Sequence, residues 1–191
     1  MSGNHRWLRA GLFIMLLGGL GACSERLPDA PEPLDLVKPI DVAASGQTAR
    51  FEFETSARNF HPGRTYALEL EVERHGSQPA SEPDMDNVHI PFEVSLQRWV
   101  AGAWQDVATS DRYQAMAQSN GNALPEWHGS ADWRYASQIS MNAKRYRLGI
   151  VTLPLERDAR YRLDVVTVQP VPVLQHYPTQ LRIHADPLSG K

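Results

Sequence analysis

The stretch "RTYALELEVER" (64–74) places Tyr66, Leu68, Leu70 and Val72 on one phase of a two-residue alternation and Glu69 and Glu71 on the other. Successive side chains of a β-strand point to opposite faces, so this pattern reads as a strand with one apolar and one polar face. The same alternation returns in "ARFEFET" (49–55), "VHIPFEVSLQRW" (88–99), "KRYRLGIVTL" (144–153), "ARYRLDVVTV" (159–168, slipping phase at its end) and "TQLRIHA" (179–185). Half-buried strands need a second layer to cover them, and few long helical patterns are present to supply it. The expected fold is therefore mainly β: an antiparallel β-sandwich of about seven to nine strands, with an immunoglobulin-like form as one version. The phases predict Phe53, Leu68, Leu70, Phe92, Val94, Leu148, Ile150, Leu163 and Val165 in the core. They predict Glu69, Glu71, Arg147 and Arg162 outside and tolerant of change.

Two stretches echo each other. "HPGRTYALELEV" (61–72) and "ERDARYRLDVVTV" (156–168) both run turn, Arg, Tyr, then alternation. In a Greek-key sandwich a Tyr near an inter-sheet corner bonds back to the backbone, which Tyr66 and Tyr161 are placed to do; two ordinary strands opening with an amphipathic aromatic also fit. "RWVAGAWQDV" (98–107) reads as a tight hairpin around Ala101-Gly102, flanked by Trp99 and Trp104. "HGSQPASEPDMDN" (75–87) reads as a loop. "QPVPVLQHYP" (169–178), with three prolines, reads as an edge or crossover connection.

One segment breaks the alternation: "TSDRYQAMAQSNGNALPEWHGSADWRYASQ" (109–138). Ser110 or Asp111 can cap a short helix running to about Gln118, with "SNGN" as its stop. An excursion of this length between strands is longer than a compact fold needs, and such insertions often carry function. Trp127, His128, Trp133, Arg134 and Tyr135 are therefore the candidate partner-binding residues, since Trp, Tyr and Arg are enriched among interface residues that matter energetically. The competing account makes the tryptophans plugs for one open end of the sandwich.

The N-terminus addresses location. Residues 1–9 carry Arg6 and Arg9 and no acid, "AGLFIMLL" (10–17) is apolar, and "GGLGA" (18–22) is small. This is the layout of a secretory signal, and the apolar run is too short to span ~30 Å of hydrocarbon. "LGAC" (20–23) resembles a bacterial lipobox. The resemblance covers about the first 24 residues and implies that Cys23 is acylated and becomes the first residue of the mature chain. Several acyl chains exceed what stable anchoring needs. Ser24 in place of Asp favours export to the outer membrane in such lipoproteins. "SERLPDAPEPLD" (24–35) then reads as an extended proline-rich tether. The expected organisation is signal peptide 1–22, lipidated Cys and tether 23–35, and β domain 36–191.

Cys23 is the chain's one cysteine, so once it carries lipid the domain has no disulfide and no Cys metal site. Without residues 1–22, and so without Arg6 and Arg9, the full chain's 19 basic and 22 acidic residues become 17 and 22, a net charge of −5. That balance argues against nucleic acid as a partner and against a polybasic grip on lipid. No metalloprotease helix, serine elbow, phosphate-cradling glycine loop or dinucleotide fingerprint occurs, and no cofactor is implied. "DMDN" (84–87) starts like a calcium loop but has His89 and Ser95 where glycine and glutamate are needed. His89 and His184 sit at polar strand positions and read as solvated. No metal site and no catalytic residue is assigned.

As a whole the chain resembles small proteobacterial lipoproteins of this layout. That resemblance implies a non-catalytic, lipid-anchored envelope protein facing the periplasm. It would touch the membrane through Cys23 and bind an unidentified protein, with immunity against an envelope-targeted toxin as one version. The alternative is a periplasmic enzyme or small-molecule binder with a pocket under residues 109–138. A pocket with converging polar groups favours the alternative; an aromatic patch favours protein binding.

Overall fold

The computed structural model describes residues 33–75 and 82–186. The signal peptide, Cys23 and most of the tether lie outside the described residues. Ten strands are present among those described: β1 (Asp35–Pro39), β2 (Thr48–Glu54), β3 (Tyr66–Glu73), β4 (Ile90–Val100), β5 (Ala103–Val107), β6 (Ser110–Asp111), β7 (Arg134–Met141), β8 (Arg145–Leu153), β9 (Arg160–Thr167) and β10 (Thr179–Ala185). One helix, α1 (Arg112–Ser119), stands between β6 and β7.

The strands form a continuous antiparallel sheet in the order β1-β10-β3-β8-β7-β4-β9-β2, with β5 added on β4 and β6 on β8. β7 makes it continuous. Its first residues pair with β4 (Ala136 opposite Ile90), and the next pair with β8 (Ser137 opposite Gly149). The sheet folds over at this strand until β1 and β2 approach each other, giving a nearly closed, barrel-like body. Where separate facing sheets were expected, one bent sheet encloses the core.

The alternation places the core as expected. Phe53, Leu68, Leu70, Phe92, Leu148, Ile150, Leu163 and Val165 are buried, and Val94 is half-buried against them. In β9 the alternation holds to its end without the expected slip: Thr167 occupies the last inward position, and its hydroxyl donates to Ala44 O. Met85, in a single 3-10 turn (Met85–Asn87) capped by Asp84, is also buried, so the loop before β4 contributes to the core. Leu34 is buried and Asp35 opens β1, so the fold begins inside the segment read as tether.

The polar phase of β3 departs from expectation. Glu69 and Glu71 are 0% and 2% exposed. The cause is the neighbouring strands, which lay cations across them. Arg147 on β8 donates to Glu69 through Nε (2.9 Å) and Nη2 (2.6 Å), and His184 Nε2 on β10 lies 2.9 Å from the same carboxylate. Glu71 accepts from Arg145 (2.7 Å), Gln180 (2.6 Å) and Arg182 (2.8 Å), and Arg182 also forks onto Asp35 of β1. Buried carboxylates persist when several charge-assisted bonds replace their water. Arg147 and Arg162, expected outside, are half-buried. His184, read as solvated, is 9% exposed.

Both echoed segments form the same corner. Tyr66 Oη accepts from the backbone N–H of His61 at 2.9 Å, and Tyr161 Oη accepts from that of Glu156 at 2.7 Å. Each partner lies five residues upstream. Each turn has a positive φ three residues before the tyrosine, Gly63 at 85° and Asp158 at 56°.

Candidate functional site

After β6, the chain from Arg112 to Trp133 leaves the sheet, and α1 packs beside β7 and β8. Asp111, paired with Val151 at the edge of β8, turns the chain and caps α1: its Oδ1 accepts from Gln114 N–H at 2.7 Å. The helix ends at Asn120, and Gly121 takes a φ of 70° that favours glycine. The expected short helix and its stop are therefore present. The excursion ends at Trp133, because Arg134 and Tyr135 open β7.

The candidate aromatics are brought together, but facing inward. Trp127 stacks on His89 with centroids 3.6 Å apart and meets Tyr113 and Tyr135 edge-on at 4.8 and 5.3 Å. His128 packs on Tyr135 at 4.6 Å. Trp133 touches the cluster only through Tyr135, at 6.5 Å. Tyr135 is buried, and Trp127 and Trp133 are half-buried. This cluster fastens the excursion to the start of β4 and to β7. His89, read as solvated, is half-buried in it, and burial holds its imidazole below the usual range, favouring the neutral ring.

A cleft of about 520 Å³ lies between α1 and the returning loop. Asp111, Gln114, Ala115 and Gln118 line one side; Leu124, His128, Ser130 and Arg134 line the other. The side chains of Asp111 and His128 are 1% and 4% exposed, with Nε2 3.4 Å from Oδ2. Oδ2 also accepts from Tyr135 N–H at 3.4 Å. Among the described residues neither His128 Nε2 nor Arg134 Nε finds a hydrogen-bond partner, although Arg134 Nη1 donates to Ala131 O and Trp133 O. The cleft thus has a carboxylate, an imidazole and a guanidinium among its walls, a set that orients a polar ligand or side chain. Met116 on α1 and Leu124 on the loop are 53% and 38% exposed. From the sequence Asp111 is expected only as a cap, and neither Tyr113 nor His89 is expected here. No local spacing links residues 89, 111, 113 and 128; the sheet alone brings them together.

No protein-family model and no curated protein sequence matches the chain. Among solved structures it is similar to a crystal structure of a Sulfurospirillum deleyianum protein. The TM-score is 0.53 and the identity 10%, over 81% of this chain and 98% of that one. Likeness at this identity concerns the fold alone.

Proposed function

We propose that the chain is a lipid-anchored envelope protein, held at the periplasmic face of the outer membrane through Cys23, whose β domain binds a protein partner without catalysing a reaction. Immunity against an envelope-targeted toxin is the concrete version. The observation that supports binding is the exposure of Leu124 at a cleft whose walls carry Asp111, His128 and Arg134. Apolar side chains beside desolvated polar groups make the kind of anchor that concentrates binding energy. Trp127 and Tyr135 would support this surface from beneath. We also read the bent sheet as an immunoglobulin-like sandwich drawn together by β7, a reading the two tyrosine corners favour.

Photo-crosslinking in intact cells tests the binding role. Reactive side chains at Gln118 and Leu124 should give one discrete adduct, and controls at Glu54 on β2 and Asp106 on β5 should give none. No adduct at either site removes the reading. For immunity, a strain lacking the protein should be killed beside toxin-delivering siblings; undisturbed growth rejects that version. The convergence of Asp111, His128 and Arg134 on the cleft favours a second reading, in which it takes a small polar molecule.

A further inference from the structure

A second recess, of about 390 Å³, lies on the opposite chemistry of the sheet: the charged outer face of β10, β3 and β8. Its walls include Arg64, Arg145, Arg147, Arg182 and His184, with Glu71 among them. The charges are layered. Glu69 and Glu71 lie at the sheet surface, out of reach of water, while the side chains of Arg145, Arg147 and Arg182 keep 41%, 23% and 31% of their exposure. The carboxylates are spent on holding these guanidiniums, which in turn keep unused N–H groups. Arg145 commits Nη1 to Glu71, and Arg147 commits Nε and Nη2 to Glu69. Arg64, on the turn before β3, has no side-chain partner among the described residues. His184 adds a polar ring: its Nδ1 faces Ala185 O at 2.8 Å, and its Nε2 lies 2.9 Å from Glu69 and 3.1 Å from Arg147 Nη2. Four guanidiniums thus stand against three carboxylates, Asp35 included, in a chain whose overall charge is negative.

We propose that this recess binds a phosphate group. Guanidiniums from three separate segments, each with free donors, exceed what the two oxygens of one carboxylate use; a phosphate offers three terminal oxygens and up to about two negative charges. Glu69 and Glu71 hold the arginines extended before the ligand arrives, which lowers the ordering cost of binding. The phosphate comes either from a free small molecule or from a lipid headgroup. The recess lies close to where the N-terminal segment enters the fold, because Asp35 of β1 binds Arg182.

Calorimetry on the full chain in non-ionic detergent at low ionic strength tests this. The probes are inorganic phosphate and glycerophosphoglycerol, the deacylated headgroup of phosphatidylglycerol. At least one should bind saturably: tighter phosphate binding identifies a free ligand, tighter diester binding a headgroup. Arg64→Gln, which disturbs no ion pair, should weaken that binding about tenfold, and Arg64→Gln with Arg145→Gln should weaken it further. Should the double variant fail to fold, the single variant decides. Absence of binding by both probes, or equal affinity in the folded Arg64→Gln protein, overturns the proposal.

Discussion

Tyr66 and Tyr161 hold their turns by the same bond, and each ring also stacks in the core, Tyr66 on Phe60 at 5.2 Å and Tyr161 on Phe53 at 5.6 Å. Tyr66→Phe and Tyr161→Phe keep the rings and strand a backbone N–H. Each should lower stability by about 0.5–1.5 kcal/mol in denaturant unfolding, the net contribution of one part-buried hydrogen bond; a change near zero would show the hydroxyls replaceable by water. Glu69 and His184 give a pH signature. The hydrogen bond to Glu69, with its charge, raises His184 above its usual 6.5. Burial pushes Glu69 up, but His184 and Arg147 more than offset this and hold it below the usual 4.5. The imidazolium's contribution is complete below about pH 6.5 and lost as pH rises through the raised value. The carboxylate's is complete above about pH 4.5 and lost as pH falls through the lowered value. Stability from this pair should therefore peak between those limits and decline on the alkaline side. Glu69→Gln should flatten that alkaline decline in unfolding curves at pH 5.5 and 8.5; an unchanged slope would place its origin elsewhere. The sequence did not show this pair because the two-residue period assigns a face, not what lies over it. Glu69 points outward as its phase requires, and arginines from β8 and a histidine from β10 bury it there.

At the scale of elements, the alternation was legible because it is local. The β4–β5 hairpin turns at Ala101 and Gly102, both at positive φ (49° and 89°), which is the turn shape that matches strand twist. Glycine suits its position; alanine does not. Ala101→Gly should raise stability by up to about 1 kcal/mol, read as a higher melting temperature, and a fall would mean that added freedom in the unfolded chain outweighs the relieved strain. Helix α1 was legible from Asp111 and the "SNGN" stop for the same reason. The role of the excursion was not, because its rings find partners far away in the chain, Trp127 on His89 and His128 on Tyr135. Trp127→Ala removes the most connected ring of this cluster and should cost about 3–5 kcal/mol. Trp133→Ala, touching one ring, should cost distinctly less. Equal, negligible losses in thermal melts would mean that the excursion is not fastened by its aromatics.

For the whole molecule, the decisive feature is where the sheet stops. β7 carries one run of pairing from β4 to β8, so the two halves share a backbone ladder instead of merely facing each other. At the other side β1 pairs only with β10 and β2 only with β9. Their free edges face across a groove lined by Leu36, Val37, Lys38, Arg50, Phe51 and Glu52, and Lys38 reaches over it to 5.7 Å from the Phe51 ring. Backbone groups on such edges bond to water rather than to a neighbour, and local opening begins where few ladder bonds must break. β3, β8 and β9 are each flanked on both sides along the sheet, and their inward side chains are fully buried. Amide hydrogen exchange should therefore show β3, β8 and β9 exchanging near the global unfolding rate, β2 faster, and β1 fastest of the main-sheet strands. β1 has only five residues, and its last four leave the core only a partly buried Leu36. Protection of β1 and β2 equal to that of β3 would mean that the two edges pair in solution and the barrel is fully closed.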